Sequence, residues 1–80
     1  MYSYTVLKEV SNTRFIETCK VIENTIIGYI KSDLLVDVDG SLLQIYTVPD
    51  GVIRVFNDYV VYAVYVDSDI AIPAFSKYKI

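Results

Sequence analysis

The residues of this chain that could do chemistry are carboxylates and tyrosine hydroxyls, because histidine is absent and Cys19 is the single cysteine. A Ser-His or Cys-His nucleophile pair is therefore impossible, and a zinc site, which takes Cys or His ligands, is not expected. Cys19 has apolar neighbours, which predicts a small core residue rather than a reactive thiol.

Two aspartate pairs, Asp37/Asp39 and Asp67/Asp69, have a spacing that could hold Ca²⁺ or Mg²⁺ through oxygen ligands. The first pair begins like a calcium loop but lacks the later ligands and the terminal glutamate of such a loop. Both pairs also fall where turns are expected, and turns favour aspartate for local reasons. Since the chain has no glycine-rich phosphate loop either, we expect no metal, no cofactor, no catalytic residues and no enzyme.

Charge is distributed unevenly along the chain. The net charge is −3, and between residues 33 and 73 Arg54 is the one basic residue among seven aspartates. Such a segment repels phosphate, which disfavours nucleic acid, and it would steer a basic protein partner. The residues predicted to provide this acidic steering are Asp37, Asp39, Asp50, Asp58, Asp67 and Asp69.

The elements that must position these side chains begin with a strand over Tyr2–Lys8, where side chains alternate between two faces. The N-cap-type residues 11–13 then precede a stripe of apolar side chains at spacings of four and three, which predicts an amphipathic helix over residues 12–24. Residues 25–31 are rich in β-branched side chains, so a strand remains an alternative to helix there.

Turn signals divide the rest of the chain into strands. Asp39-Gly40 predicts a two-residue hairpin turn, Pro49-Asp50-Gly51 a three-residue loop and Asn57-Asp58 a second two-residue turn, and Asp67–Asp69 leads to a short strand at Ile70–Ile72. Pro73 lacks an amide donor and should end that strand. The core face predicted from these turns contains Leu34, Val36, Leu43, Ile45, Ile53, Val55, Val60, Tyr62 and Val64.

These elements predict one α+β domain over residues 1–80. A single helix packs on one face of an antiparallel meander of five or six strands, in the order β-α-β-β-β-β-β, with a small all-β barrel as the alternative. The second sheet face is also largely apolar, and one helix cannot cover both faces. Its predicted partner-binding residues are Tyr46, Val52, Arg54, Phe56, Tyr59, Val61 and Tyr65, of the types common at interfaces.

The expected function is that of a small, acidic, non-enzymatic interaction protein that binds a protein partner or a second copy as a homodimer. Small acidic α+β proteins of this kind resemble, as a class, phage and mobile-element inhibitors of host nucleases or defence complexes. The alternative is a module that binds single-stranded nucleic acid or a small ligand on its tyrosine-rich face. With no signal peptide and no membrane-spanning apolar run, we expect a cytoplasmic location, in the host if the chain is viral.

Overall fold

A computed structural model of the chain describes residues 1–78. The described residues form one α-helix and six strands, followed by a short 3-10 helix. Their bounds are β1 (Tyr2–Leu7), α1 (Asn12–Thr25), β2 (Ile30–Lys31), β3 (Leu35–Val36), β4 (Leu42–Val48), β5 (Gly51–Asp58), β6 (Ala63–Ser68) and the 3-10 helix Pro73–Tyr78.

All the strands pair antiparallel, in the order β1-β6-β5-β4, and both β2 and β3 pair with the outer edge of β4. The predicted α+β class and the single helix on an antiparallel sheet are confirmed. The sheet stays open, with β1 at one edge and β2 and β3 at the other, so the alternative of a closed barrel is not formed.

The helix begins where its sequence signals place it. Ser11 is the N-cap, and its Oγ accepts a hydrogen bond from the backbone N–H of Arg14 at 3.1 Å. Thr25 is the last residue of α1, and the chain turns extended at Ile26, so residues 26–31 do not continue the helix and β2 occupies 30–31.

The core lies between α1 and one face of the sheet. From the helix, Phe15, Cys19 and Ile22 pack inward. The sheet contributes a row of side chains from every long strand, namely Tyr4, Val6, Tyr46, Val48, Ile53, Val55, Val64 and Val66. Of the predicted core residues, Ile53, Val55 and Val64 are fully buried, as expected.

The pairing of β4 with β3 and its pairing with β5 each differ from the predicted register by one residue. Val48 pairs with Gly51, which leaves Pro49 and Asp50 as a two-residue turn and makes Gly51 the first residue of β5. Gly51 has φ +153°, and a Cβ there would lie 2.5 Å from the Cβ of Asp69, so only glycine fits this start of the strand.

One residue of slip exchanges the two faces of a strand. Gln44, Tyr46 and Val48 of β4 therefore face the helix, while the predicted core residues Leu43 and Ile45 lie on the other face. The first hairpin differs in the opposite sense: its loop has three residues instead of the predicted two, because the N–H of Asp37 donates to the carbonyl of Ser41 at 2.9 Å. Leu34 and Val36, also predicted to be buried, are exposed.

The β5–β6 hairpin is longer than predicted. Phe56 pairs with Tyr65 rather than with Tyr59, and the loop is Tyr59–Tyr62 instead of Asn57-Asp58. The slip is six residues, an even number, so the face of every shared strand position is unchanged. Val60 and Tyr62, predicted to lie in the core, are exposed in the loop.

The predicted strand at Ile70–Ile72 is not formed. Ile72 is buried, its N–H donates to the Tyr4 hydroxyl at 3.0 Å, and Pro73 starts the 3-10 helix. Proline suits the first residue of a helix, where its missing N–H has no helical partner to lose. Phe75 of this helix packs on Tyr4, with ring centroids 5.9 Å apart.

Candidate protein-binding surface

Large apolar side chains are exposed together at one end of the sheet. This end holds β3, the loop 38–40 and the loop 59–62, and we call its apolar side chains the tip surface: Leu35, Val36, Val38, Tyr59, Val60, Val61 and Tyr62. Val38 is fully exposed, and Val60 is 87% exposed. Apolar exposure concentrated at one place is typical of an interaction site.

The two loops of the tip surface touch each other. The N–H of Tyr59 donates to Ser41 Oγ at 2.9 Å, and a Cβ at Gly40 would lie 3.6 Å from the Tyr59 ring. The rings of Tyr59 and Tyr62 meet edge to face, with centroids 6.4 Å apart. Tyr59 thus joins the loops into one surface.

Asp58 organises the longer loop. Its Oδ1 accepts the N–H groups of Val60 and Val61 at 2.8 and 3.2 Å, and its carbonyl accepts the N–H of Tyr62 at 2.7 Å. The loop is therefore a single helical turn with Asp58 as its N-cap. Tyr62 ends the turn with φ +62°, in the left-handed region where a tyrosine is strained.

A cleft of about 400 Å³ opens within the tip surface, and we call it the tip cleft. Its apolar wall consists of Leu35, Val36, Leu42, Leu43, Phe56 and Val60. Asp37, Asp39 and Asp58 also line the cleft, so three carboxylates lie beside its apolar wall. A cationic side chain with an apolar stem matches this combination.

The carboxylate of Asp58 stays ionised to low pH. Burial alone would raise its pKa, but the amides of Val60 and Val61 and the Tyr65 hydroxyl hold the pKa below the ordinary value. Tyr65 donates to Asp58 Oδ2 at 3.0 Å, and burial, followed by this bond, raises the pKa of Tyr65 to about 12. The Tyr65 ring also stacks on Phe56 with centroids 4.6 Å apart.

The seven predicted partner-binding residues lie in three places: four on the sheet face away from the helix, two in the tip loop, and one in the core. Val52, Arg54, Phe56 and Tyr65 lie on the sheet face away from the helix, half-buried by one another. Tyr59 and Val61 lie in the tip loop rather than on the sheet face. The structure therefore places the most exposed of these side chains at the tip.

Tyr46 was predicted on the partner-binding face, and this placement is wrong. The shift in the register of β4 turns Tyr46 toward the helix, where it is fully buried. Its hydroxyl donates to Glu23 Oε2 at 2.6 Å, and Lys31 Nζ lies 2.8 Å from the same oxygen. Sequence analysis missed this network because it joins α1, β2 and β4, and only their packing brings the three residues together.

The six steering aspartates do not form one cluster. Asp37, Asp39 and Asp58 meet at the tip cleft, whereas Asp50 and Asp69 lie at the opposite end of the sheet and Asp67 pairs with Ser3. Asp37, Asp39 and Asp69 each accept a backbone N–H, as the turn interpretation expects. Within residues 1–78 no group of three acidic, Cys or His side chains is arranged to hold a metal ion.

Comparison with protein-family models, with curated proteins and with solved structures gives no match for this chain. A function for this chain is therefore inferred from the geometry and charge of its own residues. Among residues 1–78, no helix has the length and apolar character needed to cross a membrane.

Proposed function

We propose that this protein is a non-enzymatic interaction module that binds a basic surface of another protein through its tip surface. The observation that carries the proposal is the coincidence of exposed apolar side chains with three carboxylates in one cleft. Apolar contact would supply the affinity, and the carboxylates would supply the orientation and the rate of association.

The strained loop supports the same assignment. Glycine would adopt the φ of +62° at no cost, yet position 62 is a tyrosine, and the residue is 55% exposed. The turn requires a left-handed residue at its end but not a tyrosine, and strained residues of this kind are often found where a protein contacts a ligand. Tyr59 and Tyr62 are also of a type common among the residues that contribute most to binding.

The remaining reactive groups support a role without catalysis. Burial raises the pKa of the Cys19 thiol, so this side chain is a poor nucleophile at neutral pH. Glu23 is paired with Lys31 and Tyr46, and Asp58 is held by its own loop. The bonds of Glu23 and Asp58 stabilise the fold, and none of these three groups is placed as an activated nucleophile.

We further propose that the target is a protein that itself binds nucleic acid, such as a nuclease or a defence complex of a host. Such a protein presents lysine and arginine to the phosphate backbone. An acidic tip would compete for that surface. Direct binding of single-stranded nucleic acid is disfavoured, because the stacked ring pair Phe56–Tyr65 lies beside Asp58, which repels phosphate.

Photo-crosslinking tests the proposal. A photoreactive phenylalanine analogue placed at Val60 should crosslink a partner in lysate of the cells that encode the chain, and mass spectrometry would identify both the partner and the contacted peptide. Ile27, which is 94% exposed after the helix and outside the tip surface, is the matched control position. We expect a basic protein crosslinked from position 60 and not from position 27.

Purified partner then allows a quantitative test. Val60→Lys should weaken binding by at least about tenfold, because it removes an apolar contact and repels a basic target, whereas Ile27→Lys should leave the affinity nearly unchanged. Equal crosslinking from both positions, or equal affinity of the two variants, would overturn the proposal.

A further inference from the structure

Among residues 1–78, no strand pairs with the outer edge of β3. Residues 33–38 are all exposed, and they include Leu34, Leu35, Val36 and Val38. Edge strands of native sheets are commonly protected by lysine, proline or a bulge. Here a bulge interrupts the edge before β3, since the two residues 33 and 34 stand opposite the single residue Gln44. From residue 33 to 38 the chain contains neither lysine nor proline.

The backbone of β3 has groups available to a further strand. In an antiparallel ladder, successive residues point their N–H and C=O alternately toward and away from the neighbouring strand. The N–H of Asp37 donates to Ser41, so Leu35 also points its backbone groups toward β4. Val36, between them, points its N–H and C=O away from the sheet.

Charge identifies the occupant of this edge. A second copy paired antiparallel on β3 would bring its own Asp33, Asp37 and Asp39 beside those of the first copy, and like charges across a strand pair are destabilising. A strand with lysine or arginine at alternate positions would instead place its cations near Asp37 and Asp39. Long basic side chains on the face of Leu35 would also reach the tip cleft.

We propose that β3 accepts an extended, basic segment of a protein partner as an added strand, with its lysine or arginine side chains in the tip cleft. Backbone hydrogen bonds from Val36 would provide general affinity, and the carboxylates would select basic side chains. The inference rests on the proposed function, since it specifies how the tip surface contacts its partner.

Nuclear magnetic resonance titration with a defined probe tests the inference. The probe is a blocked peptide of about eight residues in which lysine and valine alternate, long enough to pair with one strand. The Val36 amide should exchange rapidly with solvent in the free protein and become protected on binding, whereas the Asp37 amide should be protected in both states. The same peptide methylated on alternate backbone nitrogens cannot form the ladder and should not bind.

Two substitutions at position 36 separate the contribution of the backbone N–H to peptide binding from that of the side chain. Val36→Pro removes the outward N–H without breaking the pairing with β4, and it should reduce peptide affinity by at least about tenfold. Val36→Thr keeps the amide and changes only the side chain at the same position, so it should lose much less affinity than Val36→Pro. Circular dichroism confirms that both variants fold.

A further variant tests the charge. Asp37→Asn together with Asp39→Asn preserves the turn acceptors, and it should weaken binding of the lysine peptide and flatten its salt dependence. A glutamate-valine peptide is the matched control and should not bind the wild type.

The outcomes distinguish the inference from the proposed function. If Val36→Pro binds the peptide as the wild type does, or if the methylated peptide binds equally well, strand addition is overturned. Loss of partner binding in Val60→Lys alone would then still support the tip surface. If the wild type forms a dimer that Val36→Pro dissociates, the edge belongs to a second copy and the basic occupant is wrong.

Discussion

The hydroxyl of Tyr46 is buried with its ring, and Glu23 is the acceptor that makes this burial possible. Lys31, followed by the Tyr46 hydroxyl, lowers the pKa of Glu23 below its ordinary value of 4.5. Burial, followed by the hydrogen bond to Glu23, raises the pKa of Tyr46. One carboxylate thus satisfies a core phenol and holds the β2 edge to the helix.

This network predicts an acid-dependent stability. Because the folded-state pKa of Glu23 is the lower one, its contribution is full above the unfolded-state value of 4.5 and is lost as the pH falls through the folded-state value. Glu23→Gln should reduce the free energy of unfolding at neutral pH by about 1 kcal/mol, a small value because the pair is partly exposed. Urea unfolding at neutral and at acidic pH measures the difference. The difference in free energy of unfolding between the wild type and Glu23→Gln should shrink in acid. A difference that does not change with pH would contradict the role given to Glu23.

The second prediction at the residue scale concerns Tyr62. Its φ of +62° costs a non-glycine residue about 1–2 kcal/mol, so Tyr62→Gly should raise the free energy of unfolding by about 1 kcal/mol. Tyr62→Ala removes the ring but keeps the strained Cβ, so it should not stabilise the fold. Chemical denaturation compares the two variants. Equal stability of the glycine and alanine variants would refute the strain.

At the scale of elements, Asn57 fastens the helix to the sheet. Its Oδ1 accepts the N–H of Ser11 at 3.0 Å, its Nδ2 donates to Asn12 Oδ1 at 2.9 Å, and the residue is fully buried. The sequence signal Asn57-Asp58 predicted a turn, but Asn57 serves in β5 as the anchor for the start of α1. An Asn-Asp pair is therefore compatible either with a turn or with the end of a strand that anchors a helix, and only the position of the helix decides between them.

Asn57→Ala should lower the free energy of unfolding by about 2–3 kcal/mol, because it removes a fully buried amide that makes two hydrogen bonds and leaves the partly buried N–H of Ser11 without its acceptor. Asn12→Asp keeps an acceptor for the buried Asn57 Nδ2 and should cost less than about 1 kcal/mol. Thermal and urea unfolding of the two variants provide the measurement. A loss for Asn57→Ala no larger than that for Asn12→Asp would contradict the anchoring role.

At the scale of the whole molecule, apolar exposure and negative charge meet at the same end of the sheet. The carboxylates of Asp37 and Asp39 lie beside the bare edge of β3 and oppose its pairing with a second copy. Under the proposed function, charge rather than shape would keep identical edges apart. The homodimer expected from the second apolar face stays a prediction, and a foreign basic partner is the occupant that we propose for the tip.

This arrangement predicts that Asp37→Asn with Asp39→Asn promotes self-association at high protein concentration, whereas the wild type remains monomeric. Sedimentation velocity over a range of concentrations measures the oligomeric state. Adding Val36→Pro to the double variant should restore the monomer, since it removes the outward N–H of the edge. Self-association that persists in the triple variant would place the contact elsewhere.

The sequence by itself determined the elements whose signals are local. The N-cap at Ser11 and the apolar stripe predicted a helix over 12–24, and α1 spans Asn12–Thr25. Alternation placed Ile53, Val55 and Val64 in the core, and they remained there because the slip of the β5–β6 hairpin is an even number of residues. These features depend on neighbours in the chain, so they could be read without knowing the packing.

Only the tertiary structure decided the register of β4 and the nature of the tip. Both faces of β4 are apolar, so one residue of slip at Gly51 could not be recognised from hydrophobicity, and packing against α1 selected the face with Tyr46. Of the predicted binding residues, Tyr59 and Val61 lie in the tip surface. Asp58 ends β5 and caps the loop that follows, whereas the prediction made Asp58 the last residue of a two-residue turn. Local preference limits what each segment can form, but the choice between registers is made by contacts between segments distant in sequence.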